Sequence, residues 1–167
     1  MTITRTLCGC ALFAVAVATT SAQTKYSISG ACAKPDVQQS VPAGDEPTHA
    51  FMIQQGKCVP KGEMGGVKSK EGAFTEHDEV MGTTFKAWGV YGETFDSGDK
   101  VFYSYQITAT TKDGVMQSGK GTYQATSGTG KMKGIKAKGT CTYSPGDGGS
   151  NFECKGVYTL AGAMAAK

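Results

Sequence analysis

The chain has 167 residues, of which 17 are Lys or Arg and 14 are Asp or Glu, for a net charge of +3. This length suits one domain that can bury a core of its own. Charges so close to balance argue against a dedicated nucleic-acid or membrane-surface binder.

Residues 1–22 have the pattern of a secretory signal peptide. Arg5 supplies a positive charge, an uncharged apolar run follows over residues 7–18, and Thr20-Ser21-Ala22 fits a cleavage site of small residues. The apolar run is too short for a transmembrane helix, and no later run is long enough. We therefore expect cleavage after Ala22 and an exported chain, periplasmic or extracellular, with a net charge of +2.

The expected mature chain retains four cysteines, Cys32, Cys58, Cys141 and Cys154. An even number of cysteines in an exported chain predicts disulfides, and four cysteines allow three pairings. The spacing does not fit a zinc site, because no CxxC pair is present and the two histidines are isolated. The sequence therefore predicts disulfides and no metal site.

The first part of the mature chain differs in composition from the rest. Residues 23–47 contain three prolines and predict an extended N-terminal arm, with one short strand near 25–31. Over residues 48–161, strand-like runs alternate with Gly/Asp turns. Strands are predicted near 49–58, 72–81, 83–95, 100–111, 115–126, 135–143 and 151–160, and a flexible tail over 162–167. About eight short antiparallel strands predict an all-β fold, a single barrel stabilised by disulfides.

The last two strands have one self-consistent register. If Cys141 lies opposite Cys154, the other inward pairs are Tyr143–Phe152, Gly139–Gly156, Ala137–Tyr158 and Ile135–Leu160. A slip of one residue would destroy this separation of faces. We therefore predict a Cys141–Cys154 disulfide and, by elimination, a Cys32–Cys58 disulfide. A loop the size of the first stabilises a fold by about 3 kcal/mol.

Two other hairpins are less well determined. A three-residue loop Lys112-Asp113-Gly114 would oppose Tyr103 with Tyr123, Tyr105 with Gly121, and Ile107 with Gly119. The hairpin around residues 96–98 leaves two alternatives. Either Phe85, Ala87, Gly89 and Tyr91 face inward, or Trp88 and Val90 do.

Residues 127–136, SGTGKMKGIK, raise the question of a phosphate-binding loop. Such a loop requires GxxxxGK[ST] before a helix, whereas Met132 follows Lys131 and no helical pattern ensues. The glycines instead predict a corner between strands.

The same segment resembles the GGTGKF-x-G-x-x-G corner of the allene oxide cyclase and dirigent barrel superfamily. It resembles still more closely that of small exported bacterial proteins with the same pattern. Supporting stretches are residues 99–103 and 114–119, and the similarity in strand order covers most of residues 49–160. Ser127, Met132 and Ala137 depart from the motif. The resemblance implies an eight-stranded barrel with a lumen, and it carries no activity over.

Tyrosines are the main candidates for a ligand site. Tyr91, Tyr103, Tyr105, Tyr123, Tyr143 and Tyr158 are predicted to share the barrel interior, with Glu93 near one mouth. Such tyrosines would either hold an apolar ligand or simply fill the lumen. We take Tyr91, Glu93, Tyr103, Tyr105, Tyr123 and Tyr158 as the ligand-binding candidates.

The segment TEHDE, residues 75–79, is the densest acidic cluster. On a strand, His77 and Glu79 share one face, and Glu76 and Asp78 share the other. His77 with Glu79 would suit a metal or a proton shuttle, but we prefer the interpretation of a solvated strand or loop tip. His49 is expected to be a surface histidine.

Three functions are compatible with these features. In order of preference, they are a binding module for a small apolar molecule, a structural or interaction protein with a filled barrel, and a cofactor-independent isomerase or cyclase. No catalytic residue and no cofactor is predicted, and the oligomeric state cannot be read from the sequence.

Overall fold

The structure, a computed structural model, describes residues 23–161 and contains nine strands in that range. They are β1 (Thr24–Cys32), β2 (Val37–Pro42), β3 (His49–Met64), β4 (Val67–Met81), β5 (Thr84–Phe95), β6 (Lys100–Lys112), β7 (Val115–Gly128), β8 (Lys136–Gly146) and β9 (Gly149–Thr159). A short 3₁₀ helix, Gly130–Met132, precedes β8. The expected signal peptide and the expected tail over 162–167 lie outside the described residues.

Eight of these strands close into an antiparallel barrel. Neighbours follow the order β1-β9-β8-β7-β6-β5-β4-β3, and β1 also pairs with the second half of β3, which closes the ring. Strand β2 lies outside the ring and pairs with the first half of β3. The predicted all-β barrel is therefore confirmed. Within residues 23–161, no helix is long and apolar enough to cross a membrane.

The segment assigned to an extended arm needs a correction. The short strand expected near 25–31 is present as β1, and it forms part of the barrel wall. Residues 37–42 form a further strand. Prolines are typical of irregular segments, but Pro42 lies at the end of an outer strand, where its missing N–H removes no essential ladder bond.

The β8–β9 hairpin and both disulfides agree with the prediction. Cys141 pairs with Cys154, and the register continues through the predicted pairs Tyr143–Phe152, Gly139–Gly156 and Ala137–Tyr158. The predicted Ile135–Leu160 pair lies beyond the ends of the two strands. Cys32 is bonded to Cys58 and lies opposite it, so this disulfide fastens β1 to β3 where the barrel closes.

The β6–β7 register differs from the prediction by two residues. Tyr105 lies opposite Tyr123, and Ile107 lies opposite Gly121. The loop contains two residues rather than three, because Asp113 and Gly114 both have positive φ, as a type I′ turn requires. A bulge near Thr110 adds the remaining offset. A shift of two preserves which side chains face inward.

Strands β3 and β4 are longer than predicted. A two-residue turn, Gly65-Gly66, joins them, and both residues have positive φ. Pro60 lies in a stretch where the β3–β4 pairing is interrupted and β3 pairs with β1 instead. Proline is tolerated at such an irregularity, although it would break a regular ladder.

One end of the barrel is filled with side chains. Met64, Phe95, Val101 and Met132 are fully buried there, and we call this the closed end. Met132 belongs to the 3₁₀ turn of the glycine-rich segment. The segment is therefore a corner between strands, as its glycines predicted. The buried side chain of Met132 fills the closed end.

The alternative left open for β5 is resolved. Phe85 and Ala87 are buried, whereas Trp88 and Val90 are exposed by 37% and 52%. The face that carries Phe85, Ala87 and Tyr91 therefore points inward, which brings Tyr91 to the lumen.

Glycine–tyrosine packing leads to a testable prediction. A Cβ atom at Gly139 would collide with the Lys155 carbonyl oxygen and the Tyr123 hydroxyl. We expect Gly139→Ala to lower the free energy of unfolding by about 1–3 kcal/mol. The matched control is Gly92→Ala, since a Cβ there would lie 3.4 Å from the Phe102 ring, an ordinary contact. The control should change stability by no more than about 0.5 kcal/mol. Urea denaturation measures both, and equal effects would contradict the packing described.

Candidate functional site

The barrel encloses a cavity of about 760 Å³. It opens between the turns at residues 81–84, 112–115 and 146–149 and the segment 33–38, which together we call the mouth. Most of its wall is apolar or aromatic. The lining side chains include Ile28, Met52, Phe74, Val80, Phe85, Ile107, Met116 and Phe152, together with the tyrosines and two glutamates described below.

Tyrosine rings lie against glycines on the neighbouring strands. A Cβ on Gly72 would collide with the Tyr91 ring, and one on Gly89 would lie 2.6 Å from Tyr105 Cζ. The Tyr123 hydroxyl lies over Gly139 in the same way. Because glycine has no side chain, each ring can lie close to the wall. The rings therefore cover the wall of the lumen without filling its centre.

Glu93 is the most deeply buried acid of the cavity. Its side chain is 2% exposed and lines the cavity next to the closed end. The Tyr103 hydroxyl donates a hydrogen bond to Oε2 over 3.2 Å. The other oxygen, Oε1, makes no hydrogen bond among the described residues, and neither does the nearby Ser69 hydroxyl, which partly opposes the effect of burial on this carboxyl group. Burial raises the pKa of Glu93, so the carboxyl group holds its proton to higher pH than an exposed glutamate does.

Four tyrosines surround this carboxyl group. Tyr103 lies 5.7 Å from Tyr123 and 6.2 Å from Tyr91, measured between ring centroids. Tyr26 lies 6.4 Å from Tyr123, edge to face. We call these four rings the tyrosine cage. Burial, followed by the nearby Glu93, raises the pKa of Tyr103 and of Tyr91, so these phenols stay neutral.

Two further acids point inward from β4, nearer the mouth. Glu76 accepts a hydrogen bond from the Tyr105 hydroxyl over 2.6 Å, and Asp78 accepts one from the Gln54 side-chain amide. Burial, followed by the charge of Asp78, raises the pKa of Glu76 to about 7. Burial also raises the pKa of Asp78 to about 6, although its hydrogen bond to Gln54 opposes the shift. Near neutral pH, the lumen therefore holds partly protonated acids.

The structure brings together five of the six ligand-binding candidates. Tyr91, Glu93, Tyr103, Tyr105 and Tyr123 all line the cavity. Tyr158 is not part of the cavity lining. It lies towards the closed end, where its hydroxyl accepts a hydrogen bond from the Gly65 backbone N–H over 3.0 Å.

Several lining residues were not among the candidates. Tyr26 was missed because its strand was assigned to an arm. Glu76 was noted only as the neighbour of His77, although a signal was present. Phe74, Glu76, Asp78 and Val80 alternate on one face of β4, and two of these four are apolar. Alternation of this kind marks an inward face even when it carries acids.

The pair His77 and Glu79 lies on the outer face with separate partners. The His77 ring stacks on Trp88, with 5.4 Å between centroids. Glu79 lies 3.4 Å from His49 Nε2 and 3.3 Å from Lys86 Nζ. His49 was expected at the surface, but it is buried. Its Nδ1 lies 2.8 Å from Asp45 Oδ1, and this contact raises the pKa of His49. The described residues contain no group of three metal-ligating side chains.

The inward acids predict a specific pH dependence of stability. The folded state raises the pKa of Glu76 from 4.5 to about 7, so between these values the folded protein binds more protons than the unfolded chain. The free energy of unfolding therefore falls as pH rises through this window. We expect Glu76→Gln to reduce the fall by roughly 2 kcal/mol between pH 4 and pH 8. Glu153→Gln, on the outer face of β9, is the control and should retain the wild-type slope. Urea denaturation across this pH range measures the effect, and an unchanged slope in Glu76→Gln would contradict the account.

Comparison with known proteins gives a likeness of fold. No protein-family model matches the chain, and no curated protein matches it in sequence. The pterocarpan synthase dirigent protein GePTS1 is 9% identical with a TM-score of 0.47, and the match covers 90% of this chain and 96% of that one. The pterocarpan synthase dirigent protein PsPTS1 is 8% identical with a TM-score of 0.45, covering 84% and 95%. Both neighbours are dirigent proteins, and at this identity the likeness concerns the fold alone.

Proposed function

We propose that this protein is a small exported β-barrel that binds a small, largely apolar molecule in its lumen. The observation that carries the proposal is the cavity of about 760 Å³, lined mainly by apolar and aromatic side chains and containing the buried carboxyl group of Glu93. Its volume lies within the range of small-molecule sites, about 300–1,000 Å³. An apolar wall with a few polar groups at fixed positions is the usual composition of such sites.

Export is proposed from the cysteines and the N-terminal segment together. Both disulfides join residues on adjacent strands, and such bonds persist in oxidising compartments. Residues 1–22 have the charge, apolar run and cleavage pattern of a signal peptide. The proposed location is the periplasm or the extracellular space.

The size of the cavity favours a binding protein over a filled structural barrel. In a filled eight-stranded barrel, side chains occupy the interior. Here Met64, Phe95 and Met132 fill the closed end, and tyrosines of the cavity wall lie against glycines. Binding an apolar molecule would remove the exposed aromatic wall from water, at about 25 cal/mol per Å² of apolar surface before the costs of association.

A second candidate is a cofactor-independent isomerase or cyclase. Glu93 favours it, because a buried carboxylic acid beside the Tyr103 hydroxyl is a competent proton donor. Such an enzyme would use the same cavity and would convert its ligand, whereas a binding protein returns it unchanged.

The binding proposal is tested by blocking the lumen. We expect the neutral apolar dye N-phenyl-1-naphthylamine to bind the wild-type protein saturably, with one dye molecule per chain. Ile107 is buried and faces the cavity, so Ile107→Trp fills part of the lumen and should weaken dye binding at least about tenfold. Val90→Trp adds the same side chain on the outer face and should leave the affinity unchanged. Fluorescence titration measures both, with circular dichroism to confirm folding. Equal affinity in the two variants would place the dye outside the lumen and contradict the proposal.

A further inference from the structure

One oxygen of Glu93 makes no hydrogen bond to the protein. Oε2 accepts the hydrogen bond from Tyr103, whereas Oε1 makes none among residues 23–161, and the Ser69 hydroxyl near this carboxyl group also makes none. The Glu93 side chain lines the cavity. A buried polar atom without a partner destabilises the fold by about 1–3 kcal/mol. A ligand that donates a hydrogen bond to Oε1 would remove that penalty.

The surroundings of Glu93 suit a cation. The four rings of the tyrosine cage lie in an unbroken series near the carboxyl group, with adjacent centroids 5.7–6.4 Å apart, and burial, with a contribution from Glu93, raises the pKa of each phenol. The faces of aromatic rings carry negative potential and attract organic ammonium groups, which are held in proteins by aromatic cages of this kind. A buried carboxylate among such rings adds a full opposite charge.

The rest of the lumen has the same electrostatic sign. Glu76 also lines the cavity, and Asp78 is buried beside it on β4. Among the described residues that line the cavity, the one basic side chain is Lys34, which lies at the mouth. When the acids ionise, a low-dielectric cavity of this composition concentrates cations. No basic side chain of the cavity wall reaches Glu93 to neutralise it.

We propose that the deep end of the lumen binds the ammonium head of an apolar amine, with the tyrosine cage around the head and Glu93 Oε1 as its hydrogen-bond acceptor. The inference rests on the proposed function, because the apolar body of the ligand occupies the remainder of the lumen. It names the class of ligand as hydrophobic organic cations.

Binding of this ligand has a defined proton balance. Burial raises the pKa of Glu93, which favours the protonated carboxyl group, and an amine in neutral solution is already protonated. When the ammonium group binds, a proton held by the carboxyl group passes to the buffer, and the complex contains an ammonium–carboxylate pair. A neutral ligand that accepts a hydrogen bond from the carboxylic acid leaves that proton in place.

Three compounds with one skeleton test the proposal: 4-phenylbutan-2-amine, 4-phenylbutan-2-ol and 4-phenylbutan-2-one. Isothermal titration calorimetry at pH 7 gives the affinity of each compound. We expect the amine to bind at least about tenfold more tightly than the ketone, a difference of about 1.4 kcal/mol, and more tightly than the alcohol.

Variants assign the preference to its residues. In Glu93→Gln the amine should lose its advantage over the ketone. Tyr91→Leu removes one ring of the cage and should lower the amine-to-ketone affinity ratio, which provides a second test if Glu93→Gln does not fold. Glu153→Gln, outside the barrel, should retain the wild-type ratio.

Each contrary result has a separate meaning. Ketone or alcohol binding as tight as amine binding would overturn the ammonium site and leave the lumen-binding function standing. An amine preference that survives in Glu93→Gln would overturn the assignment to this carboxyl group. If none of the three compounds binds, and N-phenyl-1-naphthylamine does not bind either, the proposed function itself fails.

Discussion

The interior of a closed eight-stranded barrel has room for roughly one layer of side chains, and the packing of tyrosine against glycine determines how that room is used here. Tyr91, Tyr105 and Tyr123 each lie against a glycine of a neighbouring strand, so their rings follow the wall. Large side chains fill the closed end, where Met132 and Phe95 are fully buried. The lumen, its aromatic wall and its opening at the mouth all depend on this arrangement.

Closure of the barrel buries the inward-facing acids and raises their pKa values. An acid on an open sheet would be hydrated on its exposed face, but β1 joins β3 to β9 and encloses the inward side of every strand. Glu93 is then buried with one hydrogen bond, and the pKa of Glu76 rises to about 7. Burying three acids in this way lowers stability, since each disfavours its charged form. Polar groups that weaken a fold are commonly retained at functional sites, which accords with a binding role for the lumen.

The sequence predicted those strand registers that the alternation of apolar residues and the positions of the cysteines determine together. The β8–β9 register followed from both signals, because a slip of one residue would have placed Cys141 and Cys154 on opposite faces of the sheet. The predicted β6–β7 register was wrong by two residues. The two-residue loop Asp113-Gly114 shifts the pairing by one position, and the bulge near Thr110 shifts it by another. Alternation cannot detect a shift of two, since the faces are unchanged.

The parts of the site that were missed depend on contacts between distant strands. Tyr26 reaches the lumen because β1 completes the ring, and a proline-rich segment gives no local sign of that pairing. Tyr158 lies on the inward face that the alternation predicted, yet it is at the closed end of the barrel, which side chains fill. Glu76 resembled a solvated acid, and its burial follows from the closure of the barrel around β4. Sequence patterns therefore predicted which side chains face the lumen better than how far along the barrel each of them lies.

The most direct test of the central claim, that the lumen is open and holds an apolar molecule, is native mass spectrometry. The protein would be incubated with a small-molecule extract of the cells that produce it, beside the Ile107→Trp variant. The account predicts a single bound mass per wild-type chain, lost on denaturation and absent from the variant. A wild-type protein that retains nothing from the extract, or a variant that retains the same mass, would contradict it.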